Sequence, residues 1–152
     1  MVIQRWQSVF LLLAAIAMAF FCFVPNAEFT TSDAVLTWRP MGLTSATGAC
    51  AGSTLAYFIV NCVIAVLIII DIFLFKDLKR QMTVALVCAV LEFASCITWF
   101  ICVLVFTERL GAIGVEWLPG IILLAASLLM MLFAYSYMGK DRRKLANFDR
   151  LR

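Results

Sequence analysis

The chain has no histidine and few charges, since only 14% of its 152 residues are Asp, Glu, Lys or Arg. Lacking His removes the commonest general base, the commonest metal ligand and the usual proton relay near neutral pH. Haem b loses its usual ligand, and a serine loses its usual activator. The six cysteines (Cys22, Cys50, Cys62, Cys88, Cys96 and Cys102) contain no C-x-x-C pair. That argues against a thiol oxidoreductase and against a thiolate metal site. No G-x-S-x-G, H-E-x-x-H, P-loop or Rossmann fingerprint occurs. The expectation is a non-enzyme with no cofactor, no nucleotide and no nucleic-acid partner. Internal repeats and low-complexity tracts are also absent.

What is present is hydrocarbon. Apolar residues make up 65% of the chain, and the mean hydropathy is +1.06. Soluble domains are roughly 45–50% apolar, so lipid is the solvent that suits this composition. Crossing a bilayer takes about 20 apolar residues. Four runs qualify: 7–24, 54–75, 82–106 and 118–138. None alternates in polarity, so each reads as a helix rather than a barrel strand. The expected fold is an all-α membrane protein, a four-transmembrane-helix bundle forming a single domain over 1–152.

The first run also resembles a secretory signal with Arg5 as its charged start. No A-x-A pattern follows, and bulky Phe21 before Cys22 disfavours a lipoprotein site, so the run is read as a retained span. Most cysteines sit in apolar runs and read as small hydrophobes. Cys50 falls beside a loop, where a bridge to Cys22 or Cys102 is conceivable.

Basic residues set the orientation. Of the 12 Lys and Arg, ten fall on one side: Arg5, Lys76, Lys79, Arg80, Lys140, Arg142, Arg143, Lys144, Arg150 and Arg152. Arg39 and Arg109 fall on the other. Both termini and the 76–81 turn are therefore expected in the cytoplasm, with loops 25–53 and 107–117 outside. Trp6, Trp38, Trp99 and Trp117 fall near span ends, as interfacial aromatics do. In the longer loop, Ala34–Trp38 suggests a short strand. The G-x-x-x-G of Gly48 and Gly52 reads as flexibility ahead of the second span rather than a helix-packing motif.

Two carboxylates interrupt the apolar runs, Asp71 and Glu92, and polar groups at membrane depth usually face protein or water. Asp71 lies roughly 7 Å from the cytoplasmic boundary and Glu92 roughly 15 Å, at 1.5 Å per residue. A carboxylate pair sharing one proton is thus disfavoured. Tyr135, Tyr137, Arg5, Gln7, Lys76 and Arg80 are candidate partners for Asp71. Glu92 has no cation at its depth. Ser127 and Ser95 are its nearest polar candidates, with Asn61 further outward. A carboxyl so placed is expected to be neutral and to donate a hydrogen bond between helices. Proton-coupled transport through Glu92 and Asp71 is the sharper alternative.

In the tail 139–152, Leu145, Phe148 and Leu151 form one helical stripe among basic residues. A short basic helix or tail touching anionic headgroups is the plain reading, and docking of another protein is the alternative. Lys140, Arg142, Arg143, Lys144, Arg150 and Arg152 are the contact candidates.

The opening Met1-Val2-Ile3-Gln4-Arg5-Trp6-Gln7-Ser8-Val9-Phe10-Leu11-Leu12-Leu13 resembles the start M-I-Q-R-I-Q-[ST]-V-[YF]-L-L-L of a Bacteroidota membrane family, domain of unknown function 4293. The closing Asp149-Arg150-Leu151-Arg152 is similar to its D-R-[IL]-R ending. Val2 is an insertion, and Trp6 replaces an aliphatic residue. The resemblance implies an inner-membrane protein of four helices and carries no catalytic residue, substrate or cofactor. The leading expectation is a scaffold or accessory subunit that binds another membrane protein or a second copy of itself. A transporter or channel subunit, dimeric because four helices rarely enclose a pathway, is second. A lipid-linked enzyme using Asp71 with Glu28 or Asp33 is third.

Overall fold

A computed structural model describes residues 3–45, 48 and 50–150. It contains four long helices: α1 (Ile3–Phe21), α2 (Leu55–Phe73), α3 (Leu78–Leu110) and α4 (Gly120–Arg150). α2, α3 and α4 are each long and apolar enough to cross a membrane. α1 is apolar over Trp6–Phe21, about 24 Å at 1.5 Å per residue. Each helix packs on the next, and α1 closes against α4, so the ring order follows the chain.

The reason lies in a seven-residue spacing on every helix. α1 buries Gln7, Leu11, Ala14, Met18 and Phe21. α2 buries Tyr57, Asn61, Ile64, Ile68 and Asp71. α3 buries Gln81, Ala85, Cys88, Glu92, Ser95 and Trp99. α4 buries Leu124, Ser127, Met131, Ala134, Met138 and Asp141. Alternating steps of three and four keep one seam facing the partners, as in left-handed bundles. The outward faces carry Leu12, Ile16, Phe20, Val63, Val66, Ile70, Val90 and Ile97, all exposed. This apolar exterior around a partly polar seam is the arrangement lipid favours.

The all-α expectation is corrected. Five short strands form one antiparallel sheet: β1 (Ala27–Thr30), β2 (Val35–Arg39), β3 (Gly42–Ser45), β4 (Cys50–Ser53) and β5 (Gly114–Trp117). Their order is β4-β3-β2-β1-β5. The four loop strands form a meander, and β5 joins from the α3–α4 connection, pairing Ala27 with Trp117 and Thr30 with Gly114. The strand expected at Ala34–Trp38 is β2, shifted by one residue. Gly48, with φ 80°, sits between β3 and β4, and Gly52 lies within β4, so neither is helical. The other four strands carry no clear sequence signal because each is only four residues long, too short to show an alternating pattern.

The sheet covers one end of the bundle, and Trp38 fixes it there. Trp38 is fully buried, and its ring lies 5.9 Å from Trp99, 6.1 Å from Tyr57 and 5.6 Å from Phe106. Its indole Nε1–H donates to Thr54 Oγ1 at 3.3 Å. Trp38 and Trp99 are therefore core residues, whereas Trp6 and Trp117 stay exposed as interfacial aromatics would.

The helix ends also move. α3 runs on past 106 to Leu110, and Gly111 closes it in the left-handed conformation with φ 58°, where glycine carries no Cβ penalty. The expected 76–81 turn is mostly helical. A 3₁₀ turn at Leu74–Lys76 leads to Asp77, which caps α3 by accepting from the Arg80 N–H at 3.3 Å. The tail is no separate helix, because α4 continues through it to Arg150.

Gly120 opens α4 against the end of α1. A Cβ there would run into the Asn26 side chain and approach the Pro25 carbonyl to 2.8 Å, while a Cβ on Gly139 would meet nothing. Gly120→Ala should therefore cost about 1–3 kcal/mol by overpacking. Gly139→Ala should be neutral, or stabilising by about 0.5–1 kcal/mol. Thermal melting of the two variants in detergent checks this, and the reverse ranking would refute the close packing of α4 on Asn26.

Candidate functional site

The site is the polar part of the seam. Asn61, Asp71, Gln81, Glu92, Ser127 and Asp141 are all buried, as are Gln7 and Ser95. Their seven-residue spacing on four converging helices lines them up through the bundle. From the sheet end the layers run Tyr57–Asn61–Ser95, then Glu92–Ser127, then Asp71–Gln81, then Gln7–Asp141.

The first layer joins α2 to α3. The Ser95 hydroxyl donates to Asn61 Oδ1 at 2.6 Å. Tyr57 donates its phenolic proton to the Ser95 carbonyl at 3.1 Å, with Ser95 Oγ 3.0 Å from the phenol oxygen. Asn61 Nδ2 donates to the Tyr57 carbonyl at 2.8 Å. Every member is met, as a buried polar network requires.

The second layer joins three helices. Ser127 Oγ of α4 lies 2.5 Å from Glu92 Oε1 of α3 and 3.0 Å from the Ala14 carbonyl oxygen of α1. A hydroxyl has one proton and can also accept. If Ser127 donates to the Ala14 carbonyl, Glu92 must donate to Ser127 for both contacts to be hydrogen bonds. A neutral carboxyl satisfies the layer completely at that oxygen. Glu92 Oε2 has no partner among the described residues.

The third layer is less complete. Gln81 Nε2 donates to the backbone carbonyl of Asp71 at 3.3 Å. Neither carboxylate oxygen of Asp71 has a partner among the described residues. Four of the candidates expected for it lie elsewhere. Gln7 donates to Asp141 instead, Arg80 pairs with Asp77 at 3.0 Å, and Tyr137 stacks on Phe10 at 5.4 Å. Tyr135 is half-buried beside Met82 on a surface groove. The side chains of Arg5 and Lys76 lie outside the described residues. Cys88 is fully buried on α3. It stands one helical turn from Glu92.

Sequence reading paired Glu92 with Ser127, and the structure brings them together. It placed Ser95 beside Glu92, but Ser95 turns to Asn61. It missed Gln7–Asp141 and Tyr57, whose signal was the seven-residue spacing. Glu28 lies on β1, within 3.4 Å of the Thr37 hydroxyl, and Asp33 is exposed between β1 and β2. Both are at the sheet end, whereas Asp71 is at the opposite end, so they form no common site. Cys22 and Cys62 approach to 3.9 Å between sulfurs, and both thiols are free. Cys102 is free, and the Cys50 side chain lies outside the described residues. Among the described residues no group of three or more His, Cys, Asp or Glu could hold a metal ion.

Lys140, Arg142 and Arg143 are exposed at the far end of α4, with Lys140 Nζ 5.1 Å from the Tyr137 ring centre. The side chains of Lys144 and Arg150, and the whole of Arg152, lie outside the described residues.

The profile described as Domain of unknown function (DUF4293) matches residues 3–151. The chain belongs to that family. No curated protein matches the chain. Family membership supports the reading from the two chain ends and leaves the chemistry of the seam to be argued from the residues themselves.

Ser127→Ala should cost about 1 kcal/mol, the scale of an interhelical hydrogen bond in lipid. Glu92→Leu and Ser127→Ala should be non-additive, since they break one shared contact. A double-mutant cycle by detergent melting measures the coupling, and strict additivity would mean that the two side chains do not interact.

Proposed function

We propose that this protein is a non-catalytic inner-membrane scaffold or accessory subunit, with four spans, both termini in the cytoplasm, and a binding surface for another membrane protein or a second copy of itself. The supporting observation is the use made of the polar seam. Its side chains are spent largely on bonds between helices: Ser95 with Asn61, Ser127 with Glu92 and Ala14, and Gln7 with Asp141. Such bonds fix helix order and register. A bundle locked from inside, with a sheet clamped over one end, is a rigid platform for contacts made elsewhere.

The four-span reading includes α1 despite its shorter apolar stretch. Gln7 at one end of α1 meets Asp141, and Phe21 at the other lies 6.3 Å from the Tyr57 ring. α1 therefore shares both ends with helices long enough to cross. The placement of the basic residues supports the sheet as external and the Lys- and Arg-bearing end as cytoplasmic.

A second reading, proton-coupled transport, is favoured by the oxygens of Asp71 and Glu92 that have no partner among the described residues. Burying a carboxyl without full hydrogen bonding costs stability that an apolar residue would not. A scaffold alone gains nothing from it.

One experiment separates the two. Glu92→Gln keeps a hydrogen-bonding group of the same size, so a gluing role predicts near-normal folding and partner recovery, with Glu92→Leu weakened by about 1–2 kcal/mol. Tagged protein is solubilised mildly from native membranes, and its companions are identified by mass spectrometry. Recovery of one stoichiometric partner, unchanged in Glu92→Gln, supports the scaffold. A monomer that moves protons in liposomes, and stops doing so in Glu92→Gln while still folded, supports transport and overturns the scaffold.

A further inference from the structure

The far end of α4 has three distinct sides. Met138 and Asp141 point into the bundle, where Asp141 accepts from Gln7. Tyr137 and Lys140 turn toward α1, with Tyr137 stacked on Phe10. The third side faces α3 and is open. Tyr135, Gly139, Arg142 and Arg143 line a groove there with Met82 of α3, with a volume of about 360 Å³. The spacing of these α4 residues, by four and then three, is that of one helical stripe.

Charge and shape define what the groove would take. Both arginines are exposed, and among the described residues neither is ion-paired. The nearest acid in sequence, Asp141, is already committed to Gln7. Gly139 keeps the middle of the groove clear, since a Cβ there would meet no atom within 4 Å. Followed back along α4 at the same spacing, the stripe continues through Leu132 and Leu128. It therefore runs from apolar carbon, through a phenol, across a gap, to two guanidiniums. A phospholipid has the same order: acyl chain, ester region, phosphodiester. Planar guanidiniums suit phosphate oxygens because they can donate two parallel hydrogen bonds.

We infer that the groove between α3 and α4 at Met82, Tyr135, Gly139, Arg142 and Arg143 is a binding site for one anionic phospholipid, its phosphate held by the two arginines and its chain lying along α4. The apolar continuation selects a lipid over free phosphate. The site rests on the chain being in a membrane and is independent of any protein partner.

The test is native mass spectrometry of the full-length protein, released from detergent after exposure to phosphatidylglycerol, phosphatidylcholine or inorganic phosphate. Phosphatidylglycerol should be retained at least about tenfold over phosphatidylcholine, because the choline ammonium of the latter cancels the phosphate charge that attracts the two arginines. Arg142→Gln with Arg143→Gln should weaken retention about thirtyfold, two basic contacts' worth. Lys140→Gln, on the other side of the helix, should leave it unchanged. Gly139→Leu should block the groove with both arginines intact, and it decides the matter if the double variant does not fold. Equal retention of the two lipids by the wild type would overturn the site, as would undiminished binding by the double variant or by Gly139→Leu. Displacement of the lipid by equimolar phosphate would overturn the lipid assignment.

Discussion

The contact of Glu92 with Ser127, and of Ser127 with the Ala14 carbonyl, holds three helices at one level of the bundle. Its importance follows from the solvent. Lipid tails are as apolar as the side chains they touch, so burying carbon adds little drive for helices to associate. Hydrogen bonds, together with close packing, must then specify which helices are neighbours. Ala14 and Ala15 keep α1 thin where Ser127 reaches its backbone. A larger side chain there would hold the hydroxyl away.

The sheet addresses a different difficulty. Loop backbone beyond the helices needs partners for its N–H and C=O groups, and the five strands supply them to one another. The sheet is fastened by aromatic rings rather than charges. Trp38 touches residues from two helices, and Phe29 meets Phe106 at 6.1 Å between ring centres. Because β5 comes from the α3–α4 connection and β1 follows α1, closing the sheet also fixes α4 beside α1. Backbone bonds from Leu118 N to Asn26 O at 3.2 Å and from Gly120 N to Pro25 O at 3.3 Å complete that join. The cap and the seam thus impose the same helix order from two directions.

Most of the polar seam has a structural account, and three carboxyl oxygens have no partner among the described residues. Asp71 contributes two of them and Glu92 the third. They lie on neighbouring helices, α2 and α3. The groove proposed for lipid is separate from them, between α3 and α4 at Met82 and Arg142.

Helices long and apolar enough to cross a membrane, and their approximate extent, were legible in the sequence because hydrophobic length is a local property: about 20 apolar residues in a row need no distant partner to be recognised. The pairing of Glu92 with Ser127 was legible for a related reason, since depth along a helix is counted from its ends. The sheet was not, because its strands are too short to show a period and β1 depends on a strand far along the chain, Ala27 pairing with Trp117, 90 residues on. The helix order, the diversion of Ser95 to Asn61, the pairing of Gln7 with Asp141 and the burial of Trp38 and Trp99 were decided only in three dimensions. Each depends on which faces meet, and a single helix carries its own face but not the identity of the face opposite.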